Sequence, residues 1–217
     1  MTENTSTGLT GRSTAGVIRA LLDFRSVWTT HDLVAISRVP APTIHRIVAH
    51  LERQDLVTRT ARAIVDVPDW TVLLRRWGED FRFDRANTMT HWQAVGGVDA
   101  LLARIPGTTL PYAVSGTTAA RQWAPIAPDG AVAIYTPDSH RAAEAWNLIP
   151  ASTGDVVLAN PSSDVVYTRP RKTNAGLRLA APAQVVTDLL TGAAPLSPTT
   201  ADPLFTWMQT HELDWRY

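Results

Sequence analysis

Apolar residues recur along this chain with two different periods. Over residues 41–53, Ile44, Ile47, Val48 and Leu51 follow the i, i+3, i+4, i+7 spacing of one helical face. The opposite face carries Pro42, Arg46, Ala49 and Arg53, flanked by Thr43, His45 and His50. Pro42 suits a first helical turn, where a missing N–H loses no partner. A threonine-capped helix over 30–37 precedes it, with Leu33 and Ile36 expected to point inward, and Arg38-Val39-Pro40 forms a tight link. Further upstream, Val17, Leu21 and Phe24, beside Ile18 and Leu22, predict a helix from the Ser13-Thr14 cap to about residue 26. Downstream, residues 56–60 and 64–67 alternate as two short strands about Ala61-Arg62-Ala63.

Beyond residue 68 a helix is expected over 70–85, with Leu73, Leu74 and Trp77 inward, followed by a loop over 87–97 and a short helix over 98–105. The pattern then changes to short strands alternating with helices. Strands are expected at 110–114, 131–135, 155–159, 164–167 and 177–180, and helices at 117–123, 139–147, 182–190 and 202–210. The fold class predicted is α+β. A disordered leader covers 1–12, a winged helix-turn-helix covers 13–68, and a mixed α/β domain covers 69–217.

Charge sharpens the first domain. The whole chain has zero formal net charge, yet residues 12–62 hold eight arginines against four acids, a local +4 balanced by −4 elsewhere. A basic module in a neutral chain is the footprint of DNA binding, because phosphate contacts carry much of the affinity. Pro42, Thr43, His45 and Arg46 are assigned to base edges or the adjacent backbone. Arg38, His50, Arg53, Arg59 and Arg62 are assigned to phosphates. Arg46 is the best base reader, since a guanidinium can bridge guanine's two acceptors. Arg75 and Arg76 fit a solvated helix face, and Arg169-Pro170-Arg171-Lys172 is a second basic cluster, either a hairpin loop or an accessory phosphate contact.

Other chemistry is sparse. The absence of cysteine excludes disulfides and thiolate sites. The start of the chain lacks the apolar run of a signal peptide and no stretch reaches membrane-spanning length, so a cytoplasmic protein without a membrane partner is expected. The six histidines form no metal-type pair, and neither a metal nor a cofactor is expected. Ser115-Gly116 at a strand end resembles the turn that opens nucleotidyltransferase sites. Such sites need paired carboxylates for a metal, and here only Asp129 and Asp138 follow, both in turns. The glycine is explained by the turn itself, and no catalytic residue is assigned. Eight tryptophans fit cores or a partner surface.

Two resemblances follow. Residues 13–67 resemble the winged-helix domains of bacterial transcriptional regulators; the carrying stretch is "TTHDLVAISRVPAPTIHRIVAHLERQDLVTRT" (29–60), with Leu51-Glu52-Arg53-Gln54-Asp55-Leu56-Val57-Thr58-Arg59 leading into the wing. Residues 70–217 resemble the C-terminal domain of AbiEi-type antitoxins of type IV toxin–antitoxin systems. The carrying stretches are "YAVSGTTAARQWAP" (112–125), "AVAIYTPD" (131–138), "DVVLANPSSDVVYTRPR" (155–171), "LRLAAPAQVVTDLLTG" (177–192) and "WMQTHELDWRY" (207–217). The resemblance implies a repressor that binds operator DNA through its winged helix and autoregulates a toxin–antitoxin operon. It implies opposition to a nucleotidyltransferase-like toxin, with or without a lasting complex. Two alternatives stay open: a nucleotidyltransferase-like enzyme with a winged-helix appendage, and a protein-interaction module that does not bind DNA.

Overall fold

The chain is mixed α+β, and the computed structural model describes residues 9–24, 27–60, 64–127, 130–192 and 198–217. It divides into two compact units, Met1–Phe81 and Arg82–Tyr217. No helix among the described residues is long and apolar enough to cross a membrane.

The first unit opens with α1 (Arg12–Asp23), which buries Val17, Ile18, Leu21 and Leu22. Gly11 precedes it at φ 98°, and no side chain caps it. Two charged residues of α1 are also buried: Arg19 Nη2 lies 2.7 Å from Asp23 Oδ2. α2 (Thr30–Ser37) is fixed by a reciprocal cap, in which the Thr29 hydroxyl accepts from the Asp32 N–H and the Asp32 carboxylate accepts from the Thr29 N–H. The Thr29 hydroxyl, which also donates to Asp32, holds that carboxyl below the usual range. Leu33 is fully buried, but Ile36 is 43% exposed, contrary to its expected inward orientation. The inner stripe continues from Leu33 to Ser37, whose hydroxyl donates to the Leu33 carbonyl one turn back, so Ile36 falls on the flank.

α3 (Ala41–Glu52) has Pro42 in its first turn and buries Ile44, Ile47, Val48 and Leu51, the four positions its period marks. α1, α2 and α3 pack on one another. The ribbon that follows is antiparallel, β1 (Thr58–Arg59) against β2 (Val65–Asp66), and Trp28 bridges to Val65 on its other side. The tip, with Arg62, lies outside the described residues. α4 (Trp70–Asp80) begins at Asp69, whose carboxylate accepts from the Thr71 and Val72 N–H groups. It buries Trp70, Leu73, Leu74 and Trp77 and packs on α1. The division between units therefore falls at 81/82, and the helix grouped by sequence with the second domain belongs to the first. The helix expected to reach residue 85 stops at Asp80, because Phe81 is extended.

The second unit comprises α5 (Phe83–Ala86), β3 (Asn87–Ala94), α6 (Val98–Arg104), β4 (Ala113–Ser115), α7 (Gly116–Ala120), β5 (Val132–Tyr135), α8 (Ser139–Ala145), β6 (Leu148–Pro150), β7 (Val156–Pro161), β8 (Arg171–Lys172), β9 (Arg178–Leu179), α9 (Pro182–Thr191), α10 (Asp202–Thr210) and α11 (Glu212–Trp215). Its strands form one sheet in the order β6-β3-β7-β5-β4-β9-β8, parallel at β5–β7 and β4–β9 and antiparallel elsewhere. β3 is an internal strand of this sheet, where a loop was expected. Its alternation is real but muted: Trp92 and Ala94 are buried, while His91 and Gln93 are exposed. β6, ending in Pro150 at the sheet edge where proline is tolerated, was not foreseen. The strand expected at 164–167 is instead a 3-10 turn, capped by the Ser163 hydroxyl accepting from the Val165 N–H.

The register sets two faces. Val114, Ile134 and Leu158 align across one, with Val132, Val156 and Trp92 in the adjacent row. The other face aligns Ser115, Ala133, Val157 and His91 in one row, and Ala113, Tyr135, Ala159 and Met89 in the next. β4 turns into α7 at Gly116, φ 66°, a left-handed conformation that suits glycine. α9 is buried from Pro182 to Leu189. Its Asp188 carboxylate accepts from Ser115 Oγ at 2.5 Å, Tyr135 OH at 2.8 Å and Gln184 Nε2 at 2.8 Å.

Candidate nucleic-acid interface

The period of α3 decides what it presents. With Ile44, Ile47, Val48 and Leu51 inward, the outward strip is Pro42, Arg46 and Arg53, all exposed. One flank of the helix faces α2, where His45 Nε2 lies 3.1 Å from the Thr30 hydroxyl. The other flank faces α1. There Thr43, Arg46, Ile47 and His50 line a polar groove of about 450 Å³ with Thr10, Ser13 and Thr14.

The assigned residues differ in how they are held. Arg46, at the centre of the strip, is exposed, as is His45. Thr43 is half-buried in the groove wall. His50 is half-buried and joins a relay: its Nε2 is 2.7 Å from Gln54 Nε2, and Gln54 Oε1 accepts from Arg76 Nε at 3.1 Å. Arg76 in turn pairs with Asp80 at 2.7 Å, and Asp80 accepts from the Leu9 N–H at 2.5 Å. This relay links the end of α3 to α4 and holds the imidazole in place. Arg53 Nη2 is 3.4 Å from His50 Nδ1. Arg59, on the ribbon, forms an ion pair with Glu52 at 3.4 Å, which ties β1 to α3. Arg62 lies outside the described residues.

Arg38 is the least expected of the set. It ends α2 in the left-handed conformation, φ 56°, while its N–H donates to the Val34 carbonyl. Glycine is the usual residue at such a helix end. An exposed arginine here retains a charge at a conformational cost of about 1 kcal/mol.

The second basic cluster is engaged within its own unit. Arg171 donates to the Tyr217 hydroxyl and to the Trp215 carbonyl, and the Arg169 guanidinium stands 4.5 Å over the Tyr217 ring. The Arg171 guanidinium holds the Tyr217 phenol below its usual range. Asp138, one of the two carboxylates weighed for metal chemistry, accepts from the Arg141 N–H as the cap of α8, and Asp129 lies outside the described residues. Among the described residues there is no group of three or more His, Asp or Glu side chains placed to hold a metal ion.

Sequence reasoning missed the relay through Gln54 and Arg76. Its only local signal is the His50/Gln54 spacing of four on one helix side. No family model, curated protein or solved structure matches the chain.

Proposed function

We propose that this chain is a sequence-specific DNA-binding repressor whose first unit is a winged helix-turn-helix, with α3 in the major groove and the β1–β2 ribbon as the wing. The observation that carries the reading is the outward strip of α3, where Arg46 stands between Pro42 and Arg53 with no acidic residue on that face. A helix of this width fits the major groove, and a central guanidinium can select guanine there. Arg38, Arg53 and Arg59 flank it as phosphate contacts, and His45, Thr43 and His50 line its sides. The resemblance to AbiEi-type antitoxins extends the proposal to autoregulation of a toxin–antitoxin operon, with a nucleotidyltransferase-like toxin as the functional counterpart.

Two results test the reading, both measured by fluorescence anisotropy on duplexes selected from a random pool. Arg46→Ala is expected to weaken the selected duplex by about 1–3 kcal/mol while leaving scrambled duplex nearly unchanged. Equal loss on both duplexes would reassign Arg46 to phosphate, and no loss on either would remove α3 from the interface. Arg38→Gly should act in opposite directions on two quantities. Relief of the left-handed backbone should raise folding stability by about 0.5–1 kcal/mol, while loss of the charge should weaken all duplexes alike and flatten the salt dependence. A chain that selects no duplex and shows no salt-dependent affinity is instead the protein-interaction module.

A further inference from the structure

His50 meets a hydrogen-bond donor at each of its ring nitrogens, and Gln54 decides which of the two the ring serves. Arg76 Nε lies 3.1 Å from Gln54 Oε1, and a guanidinium can only donate. The Gln54 amide is therefore set with its oxygen toward Arg76 and its NH₂ group toward His50 Nε2, 2.7 Å away. An amide NH₂ also only donates, so Nε2 is the unprotonated nitrogen that accepts from it. The proton of the neutral ring then sits on Nδ1.

That placement leaves the other side of the ring without an acceptor. Arg53 Nη2 lies 3.4 Å from Nδ1, and it too is a donor. The opposite tautomer would let Nδ1 accept from Arg53, but it would set two donors 2.7 Å apart at Nε2, and the shorter contact decides. Nδ1–H and the exposed Arg53 guanidinium thus stand side by side. Glu52 is paired with Arg59 and Asp80 with Arg76. Among the described residues no carboxylate pairs with His50 or Arg53. A phosphate oxygen within hydrogen-bond distance of both donors would satisfy the two together, and charge-assisted bonds of this kind are the strong ones.

We infer that His50 Nδ1–H and Arg53 together hold one phosphate oxygen, and that Gln54 and Arg76 are positioning residues that keep the ring proton on Nδ1. The source of that phosphate, a backbone phosphodiester of the duplex at the end of α3, rests on the repressor reading. The tautomer does not.

Nitrogen NMR spectra of the imidazoles report the tautomer directly. In the full chain at pH 8, His50 should be protonated on Nδ1 and bare on Nε2. Gln54→Met removes the donor at Nε2 and should move the proton there, leaving Nδ1 to accept from Arg53. Inorganic phosphate should shift the His50 Nδ1 signal saturably in wild type, and bind about tenfold more weakly in Gln54→Met, the effect of one hydrogen bond to a charged acceptor. Arg53→Met, at an exposed position, should lose phosphate affinity while the proton stays on Nδ1, so a folding defect at position 54 leaves the test intact. On DNA, Gln54→Met should weaken selected and scrambled duplexes alike. A wild-type ring protonated on Nε2, or an Nδ1 proton that survives Gln54→Met, overturns the relay. A moved proton with undiminished phosphate affinity, or wild-type phosphate affinity in Arg53→Met, overturns the anion site. A chain that binds phosphate here but no duplex keeps this site and loses the repressor reading.

Discussion

Asp23→Ala is expected to lower folding stability by about 3–5 kcal/mol, measured by urea denaturation. Arg19 is 0% and Asp23 2% exposed, and the guanidinium reaches the carboxylate through Nε at 3.1 Å and Nη2 at 2.7 Å. Removing the carboxylate leaves a guanidinium inside the protein without its main counter-charge, and arginine cannot neutralise itself by losing a proton at any pH the fold survives. Arg19→Leu alone should cost less, because a lone carboxyl can take up a proton. The double replacement Arg19→Met/Asp23→Leu should recover most of the stability, since an apolar pair of similar volume avoids both desolvation costs. A single-variant loss below about 1 kcal/mol would show that water reaches the pair, as it does surface ion pairs.

This pair also alters how the charge pattern bears on function. Arg19 counts toward the eight arginines that make residues 12–62 basic, yet it is internal, and its partner Asp23 is one of the four acids. The net +4 is unaffected, but among the described residues the exposed arginines are those at 12, 38, 46, 53 and 59, and Arg59 is already paired with Glu52. The proposed affinity therefore rests on fewer cations than the sequence count suggests. α1 reads as amphipathic along one face, but Arg19 and Asp23 lie off that face and are buried as well. Periodicity within one helix cannot reveal a second contact made by its other side.

What was legible follows the same division. α2 and α3 were placed by purely local signals: a threonine cap, Pro42 in the first turn, and the apolar stripe from Ile44 to Leu51. β3 was taken for a loop because its partners, β6 and β7, lie more than fifty residues downstream and its outward positions carry Met89, His91 and Gln93. Met89 and His91 border a cavity rather than a packed layer, and Gln93 is exposed and donates to Asp155, so the alternation that marks a strand is diluted on that face. The 164–167 segment failed in reverse. Val165 and Val166 have strand propensity, but Ser163 caps a 3-10 turn that buries both. Of the candidate interface, α3's outward strip was visible from helical period alone. The ties that orient its neighbours, Glu52 to Arg59 and His50 to Gln54 to Arg76, depend on how the ribbon and α4 fold back.

Asp188→Ala should produce a loss of about 3–6 kcal/mol, because three buried donors lose their acceptor together and each costs about 1–3 kcal/mol when left unsatisfied. That is a large share of the roughly 5–15 kcal/mol available to a domain. Asp188→Asn should be far milder. The amide oxygen can take the Tyr135 and Gln184 bonds at the Oδ1 position, and the Ser115 hydroxyl can turn to accept from the new NH₂ group at Oδ2. The pair of variants also predicts an alkaline effect. Burial pushes the Tyr135 phenol well above its usual value of 10.0, and the Asp188 charge raises it further. Above about pH 10 an unfolded tyrosine therefore loses its proton while the folded one keeps it, so the folded state binds more protons and stability falls as pH rises. Asp188→Asn removes only the second cause, so burial should keep the folded phenol protonated and the fall between pH 8 and pH 10.5 should match that of wild type. Urea midpoints at the two pH values for both proteins check it. A shallower fall in the Asn variant would mean that the Asp188 charge, more than burial, holds the Tyr135 proton.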